Sequence, residues 1–392
     1  MLVPAPFVSD AAHWLSEGRK LKSEARFIES AQAFARAAAL APDGRGQLHQ
    51  GLALRDAGQV DTALTVLAAY CQSHPNDPDG WSMLGTLFKR EGRWAEAVPP
   101  LRQSVALRED APTRNALVTS LWRCGAMAEA QIEGLRNLQQ KDRRAMESFA
   151  TTPWAGQTLR PWGRSFDPDR RSRNIIAFSL WGDRPEYVTG AIINAQIAPH
   201  LYVGWTARFY CDTSVPADAR EALSAHGAQV ILMDRPDDAR LRPMWRFLAS
   251  DDPGVNVFLC RDADSRLNAK ELLAVQDWLF SRKRFHVMRD HLYHMELMLA
   301  GMWGGVAGVL PDIRTTLAAA PRYFDNRFAD QAFLADMVWP LIRPDACIHD
   351  THYRFPDAGP FPPGYDLPGQ IHVGGGVKSM PHWSRYVGRR DS

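Results

Sequence analysis

The chain has 392 residues and a net charge of +2, so it presents no strong charge field for nucleic acid or another polyelectrolyte. Its 45% hydrophobic content is enough for packed cores, and its length argues for two or three domains. Five cysteines, Cys71, Cys124, Cys211, Cys260 and Cys347, stand singly, which argues against a disulfide framework or a zinc motif and suits reduced thiols in a cytoplasmic protein. No run approaches the ~18 apolar residues of a membrane span, and no basic stretch leads into a long apolar one near Met1, so neither anchor nor leader is expected.

The first part is periodic. Gly58, Gly92 and Gly125 fall 34 and 33 residues apart, and Ala63, Ala97 and Ala130 follow each by five. Trp81, Leu84, Gly85, Phe88, Ala97 and Leu101 form one unit. Gly51, Leu54, Leu67 and Pro75 belong to the unit before, and Trp14, Gly18, Leu21, Phe34, Ala37 and Pro42 to an earlier one. Leu117, Leu121, Gly125 and Ala130 mark a degenerate fourth. Small residues at these places let two helices cross closely. The pattern resembles a tetratricopeptide array of three to four repeats, an all-α solenoid placed at residues 8–149. Such arrays imply a groove for a peptide or a partner's tail; the plainer alternative is a scaffold or dimer surface.

Residues 150–173 combine turn formers, such as Pro153 and Gly156, with the charged run Asp167–Arg173, and read as a linker, the charged run as a solvated connection. From residue 174 to 392 strand and helix alternate. Strands are expected at 174–180, 206–211, 229–233, 255–262 and 285–288, with helices at 185–198, 217–226, 241–250 and 268–282. This βαβ order predicts an α/β domain with a mostly parallel central sheet. It has no G-x-G-x-x-G turn after its first strand and no Walker-type Lys loop, which counts against a dehydrogenase or a P-loop NTPase.

Arg261-Asp262-Ala263-Asp264-Ser265 closes the apolar run Val255–Cys260. The i and i+2 side chains of an extended segment share a face, so two carboxylates there repel unless a cation sits between them. Oxygen ligands of this kind suit Mg²⁺ or Mn²⁺, which also bind phosphate oxygens. Solvated loop carboxylates are the bland alternative. The position at the end of a strand favours the ligand reading.

An α/β domain with this Asp-x-Asp resembles a GT-A-fold glycosyltransferase. Two later segments carry the same likeness. Asp330-Gln331 resembles the helix start found near the sugar in such enzymes, and His372-Val373-Gly374-Gly375-Gly376-Val377-Lys378 fits H-x-x-G-x-x-K. The likeness is to the retaining group of glycogenin and the lipopolysaccharide galactosyltransferases, although Ser379-Met380 departs from the Pro and Trp of that group. The resemblance implies a Mn²⁺ or Mg²⁺ cofactor and a nucleotide-sugar donor, UDP-sugar first. It implies metal ligation by Asp262, Asp264 and His372, with Asp262 also reaching the nucleotide. Lys378 and Gly375 would meet the diphosphate, and Ser179 and Trp181 would begin the nucleotide pocket; Arg261, flanking the acidic pair, either binds phosphate or balances charge. Asp330 and Asp290 are candidates for sugar contacts or a catalytic carboxylate.

Other residues stay open. Asp183 is expected to cap the helix after Arg184-Pro185. Trp303, in Gly301-Met302-Trp303-Gly304-Gly305, could stack on a sugar but is more simply a packing residue. His349-x-x-His352 reads as a turn with solvated side chains, and His291 and His294 as hydrogen-bonding groups. The expected activity is metal-dependent transfer of a sugar to a protein or glycan acceptor. The alternatives are a repeat adaptor with a silent nucleotide-binding domain and a metal-dependent nucleotidyl- or phosphotransferase.

Overall fold

The computed structural model describes residues 10–161, 164–233, 235, 238–320, 323, 329–367 and 371–376. The chain divides into two compact units, Met1–Asn137 and Leu138–Ser392. Among the described residues no helix is long and apolar enough to cross a membrane.

The first unit is all helical. It contains α1 (Ala11–Ser23), α2 (Phe27–Leu40), α3 (Gly46–Asp56), α4 (Val60–Ser73), α5 (Pro78–Arg90), α6 (Trp94–Leu107), α7 (Ala111–Arg123) and the start of α8 (Met127–Phe149). Asp10, Asp77 and Asp110 cap α1, α5 and α7 by accepting from the N–H groups of His13, Asp79 and Thr113. The periodic Gly58, Gly92 and Gly125 end α3, α5 and α7 with φ of +77°, +72° and +78°. A β-carbon is penalised there, which explains why glycine recurs at that spacing. Within a pair the helices touch through small residues: a β-carbon on Gly85 would lie 2.5 Å from Cγ of Leu101. Ala63, Ala97, Ala130, Leu67 and Leu101 are wholly buried at these crossings.

The second unit begins inside α8. Of residues 150–173, expected as a linker, the first part packs on the α/β unit, while the charged run at 168–173 has no buried residue, as expected of a solvated connection. Trp154 is buried, and its Nε1 donates to Thr316 Oγ1 at 2.7 Å. Arg160 N donates to Val309 O at 2.8 Å, and Arg164 Nη1 to Val255 O at 2.8 Å. Pro, Gly and charge marked irregular backbone correctly, but irregular backbone can still be packed.

Seven strands form one mixed sheet: β1 (Asn174–Leu180), β2 (Thr206–Cys211), β3 (Gln229–Leu232), β4 (Val257–Arg261), β5 (Phe285–Arg289), β6 (Trp303–Val306) and β7 (Ala346–Asp350). Their order is β3-β2-β1-β4-β6-β5-β7. Only β6 runs against its neighbours, pairing antiparallel with β4 and β5. This glycine-rich strand is absent from the strands expected above. The role of its glycines is close packing: a β-carbon on Gly304 would lie 2.4 Å from Phe258 O. Trp303 is a core residue, edge-on to Phe258 and Phe247 with centroids 5.1 and 5.5 Å apart. Helices α9 (Pro185–Leu201), α10 (Ala217–Ala225) and α11 (Ala269–Phe280) alternate with the strands, the last capped by Asn268. The expected helix at 241–250 is a 3₁₀ segment, Asp238–Ser250, interrupted by Pro243. Downstream lie α12 (Ile313–Ala318), α13 (Ala329–Phe333) and α14 (Trp339–Ile342).

The chain leaves β1 toward β2 and β3 on one side and returns to place β4 on the other. In open α/β sheets a crevice opens where the order reverses, at the carboxyl ends of the strands.

The repeat packing makes a first prediction. Leu101→Ala should destabilise the helical unit by about 2–5 kcal/mol, because it leaves a cavity opposite Gly85. Urea unfolding followed by helical circular dichroism checks it; an unchanged profile would show that this crossing does not hold the unit together.

Candidate functional site

The carboxyl ends of β1 and β4 form a pocket of about 200 Å³. Its lining includes Ser179, Trp181, Tyr187, Arg246, Asp262 and Asp264. Trp181 is partly exposed at 39% and edge-on to Trp245, with centroids 6.4 Å apart. Asp183 does not cap α9: the cap position is Arg184, which makes no side-chain cap bond.

Arg246 organises the floor of the pocket. Its side chain is buried, with Nη1 2.5 Å from Asp262 Oδ1 and Nη2 3.2 Å from Asp330 Oδ2. Its backbone N–H donates to Ser179 Oγ at 3.0 Å. Burial works against the Arg246 charge, and Asp262 and Asp330 more than offset it. Burial raises the Asp330 carboxyl above its ordinary value; Arg246 pulls it down and Asp262 pushes it up. Asp330 thus joins the Asp262 end of the crevice through one guanidinium. The sequence reading missed Arg246 because residues 241–250 read as an ordinary covering helix. A lone Arg between Trp245 and Phe247, both core residues, was the available signal.

Asp262 also explains Gly301, where a β-carbon would lie 2.1 Å from Asp262 Oδ2. Asp264 is half-buried beside the turn that carries His372. Gly376 bridges to Ser265, and a β-carbon on it would lie 3.2 Å from Asp264 Oδ2. Within that turn Gly374 has φ +74°, and Gly375 donates its N–H to His372 O at 3.0 Å. The Gly375 N–H expected to meet a diphosphate is therefore engaged in the turn. Lys378 lies outside the described residues.

His372 Nδ1 lies 3.0 Å from Val373 O. A carbonyl only accepts, so the ring proton sits on Nδ1 and Nε2 keeps its lone pair. This is the usual arrangement of a metal-binding histidine. The ligand atoms of Asp262, Asp264 and His372 are nevertheless not gathered: among the described residues, the group converging within 4.8 Å is Asp277, Cys347 and His349. The chemistry of the donor set fits a divalent cation, while the expected trio is not pre-assembled.

Two expected site residues have structural work. Arg261 is buried and pairs with Glu271, which also accepts from Tyr202 Oη at 2.8 Å. Residues 261 and 262 alternate faces, so Arg261 enters the core while Asp262 faces the pocket. It is not placed to meet a cofactor. Asp290, expected as a catalytic candidate, is also buried and fully engaged. Its Oδ1 accepts from Lys270 Nζ at 2.8 Å and Thr351 Oγ1 at 2.5 Å, and its Oδ2 from Val373 N at 2.9 Å. It positions the His372 turn instead.

Around that turn His291, His294 and His372 cluster, with His372 ring centroids 4.8 Å from His291 and 4.7 Å from His294. Asp290 N donates to His294 Nδ1 at 3.0 Å, and burial holds His294 neutral. Its proton therefore sits on Nε2, which leaves no free lone pair for a metal while that bond stands.

Residues 44–87 match the family model of the tetratricopeptide repeat. The first unit thus contains a tetratricopeptide repeat region. No curated protein matches the chain. Among solved structures the chain is similar to MamA 41-end from Desulfovibrio magneticus RS-1, at 18% identity and TM-score 0.31, covering 34% of this chain and 76% of that one. It is also similar to YrrB, described as a TPR protein with an unusual peptide-binding site, at 19% identity and TM-score 0.31, covering 36% and 74%. MamA MSR-1 matches at 21% identity and TM-score 0.28, covering 32% and 72%.

Removing the central cation tests the floor of the pocket. Arg246→Met should cost about 3–5 kcal/mol, the loss typical when one partner of a buried charge set is deleted. The loss should be larger at pH 8 than at pH 5. Without Arg246 the Asp330 carboxyl loses the charge that pulls it down and rises further, the native state holds a proton the unfolded chain has released, and stability falls with rising pH through that window. Thermal melts at both pH values check the sign.

Proposed function

We propose that the α/β unit is a GT-A-like glycosyltransferase that takes a sugar from a nucleotide donor, UDP-sugar first, in the crevice between β1 and β4. The observation that carries the reading is the Asp262–Asp264 pair at the switch point, facing a pocket that also holds Trp181 and Tyr187. An aromatic wall suits a base, and carboxylates suit a ribose or a cation that bridges phosphates.

Asp264 and His372 would hold Mn²⁺ or Mg²⁺, with Asp262 reaching it from its bond to Arg246. When bound, such a cation neutralises the charge that grows on the departing diphosphate. The protein's own groups do the rest. Trp181 stacks on the base and orients the donor. Arg246 fixes Asp262 and Asp330 in one geometry, so no reorganisation is needed at the moment of transfer. Asp330, partly neutralised by burial, offers an oxygen to a sugar hydroxyl. Asp290 holds the His372 turn against the ends of β5 and β7.

In the repeat unit, α6, α7 and α8 enclose a cavity of about 530 Å³ lined by Arg102, Arg114, Ile132 and Glu133, among others. We assign this unit the recruitment of a protein or glycan acceptor. A second reading, a silent nucleotide-binding adaptor, draws on the Arg246–Asp262 pair, which already satisfies one oxygen that a metal would use.

Calorimetry with UDP-, GDP- and CMP-sugars, with and without Mn²⁺, tests the proposal. Nucleotide binding is expected, and Trp181→Ala should weaken it by about 1–3 kcal/mol, the range for base–aromatic stacking. Asp264→Ala should abolish the Mn²⁺-dependent part with little change in melting temperature. No nucleotide binding under any condition sinks the reading; binding without sugar release or transfer selects the adaptor.

A further inference from the structure

At the edge of the sheet the fold gathers the donor set of a softer cation. Asp277 on α11 and Cys347 and His349 on β7 each offer one ligand atom, all within 4.8 Å of one another. Cys347 and His349 are i and i+2 on a strand, so they share a face. His349 is buried, Cys347 is intermediate and Asp277 is exposed, which leaves one side open to water. The sequence showed only scattered cysteines and a histidine pair at an unhelpful spacing; strand pairing and α11 bring the third ligand.

His349 is supported from behind. Its Nδ1 lies 3.0 Å from His286 Nε2. The His286 ring is buried and stacked on Trp278, centroids 5.6 Å apart and planes 7° apart. In this structure His286 Nε2 donates to His349 Nδ1; in a metal-bound histidine the second nitrogen is the donor, so the same contact serves as outer support with its direction reversed. On the other side His349 Nε2 lies 3.0 Å from Asp277 Oδ2, where a proton now bridges the two. Tetrahedral zinc with these ligands spaces them roughly 3.4–3.6 Å apart, so the ion takes the place of that proton after a few tenths of an ångström of opening. The two imidazoles change tautomer together: His349 then carries its proton on Nδ1 and donates to His286 Nε2, and His286 carries its own on Nδ1, so both rings stay neutral.

We propose that Asp277, Cys347 and His349 form a Zn²⁺ site, with water as the fourth ligand. Thiolate, imidazole and carboxylate together suit borderline-soft Zn²⁺, whereas Mg²⁺ and Mn²⁺ prefer all-oxygen sets. β7 lies three strands from β4, roughly 14 Å along the sheet, so this site is separate from the crevice and independent of the sugar-transfer reading. Its effect is to clip the edge strand to α11. Burial pushes the Cys347 thiol up to about 11, against a Ser281 hydrogen bond. The ion must displace that proton, so binding tightens as pH rises.

The test uses the full chain stripped of metal and titrated with Co²⁺ as a spectroscopic stand-in, then with Zn²⁺. One Co²⁺ per chain is expected to give a thiolate charge-transfer band and tetrahedral ligand-field bands, displaced by Zn²⁺, which raises the melting temperature. Cys347→Ser should remove the charge-transfer band and weaken Zn²⁺ at least tenfold. Asp277→Asn, at an exposed position, should weaken it while keeping the fold, and it decides the matter if Cys347→Ser does not fold. Asp264→Ala should leave the signal unchanged. Absence of the cobalt bands, their persistence in Cys347→Ser, unweakened Zn²⁺ in Asp277→Asn, or loss only in Asp264→Ala overturns the proposal.

Discussion

The arrangement of the crevice depends on a guanidinium buried out of water. Arg246 meets Asp262 at the end of β4, Asp330 on α13 and, through its backbone, Ser179 on β1. Burying such a charge is expensive unless its hydrogen bonds are well made. Three elements distant in sequence must therefore arrive together before any of them is stable there. The pocket's geometry is over-determined, which is what a site needs when its ligand is to find charges already in place.

The same device recurs along the carboxyl edge of the sheet. Asp290, with Lys270 and Thr351, pins Val373 beside the ends of β5 and β7. Arg289 pairs with Asp350 across β5 and β7, both side chains buried. Arg261 and Glu271 tie β4 to α11 in the core. Paired charges of this kind contribute little net stability, but losing one partner strands the other. Their value here is register: each joins a strand end to the loop or helix that must sit over it.

The repeat region was legible because its constraint is local. A left-handed turn needs glycine at Gly58, Gly92 and Gly125, and a close crossing needs Gly85 opposite Leu101, whatever the rest of the chain does. The parallel strands were legible because buried strands read as apolar runs. β6 was not, because its glycines answer to Phe258 and Phe285 on other strands. Arg246 escaped for the same reason: its partners lie 16 and 84 residues away in sequence. The start of the expected linker shows the converse error, where local irregularity was equated with a mere connection although Trp154 is core.

The Asp262–Asp264 pair shows what alternation leaves undecided. Both side chains face the crevice, as an i and i+2 pair should, yet their surroundings differ. Asp262 is answered by Arg246, so its charge is balanced without a ligand. Asp264 stands beside the Gly376 end of the turn that carries His372, and its charge favours that of Arg266, which burial opposes. Two carboxylates that look equivalent in the sequence therefore sit in different surroundings, one on a buried guanidinium and the other beside a glycine turn. Under the glycosyltransferase reading, the metal belongs chiefly to Asp264, and Asp262 is free to face the nucleotide. That division follows from one buried arginine on a segment far from the motif.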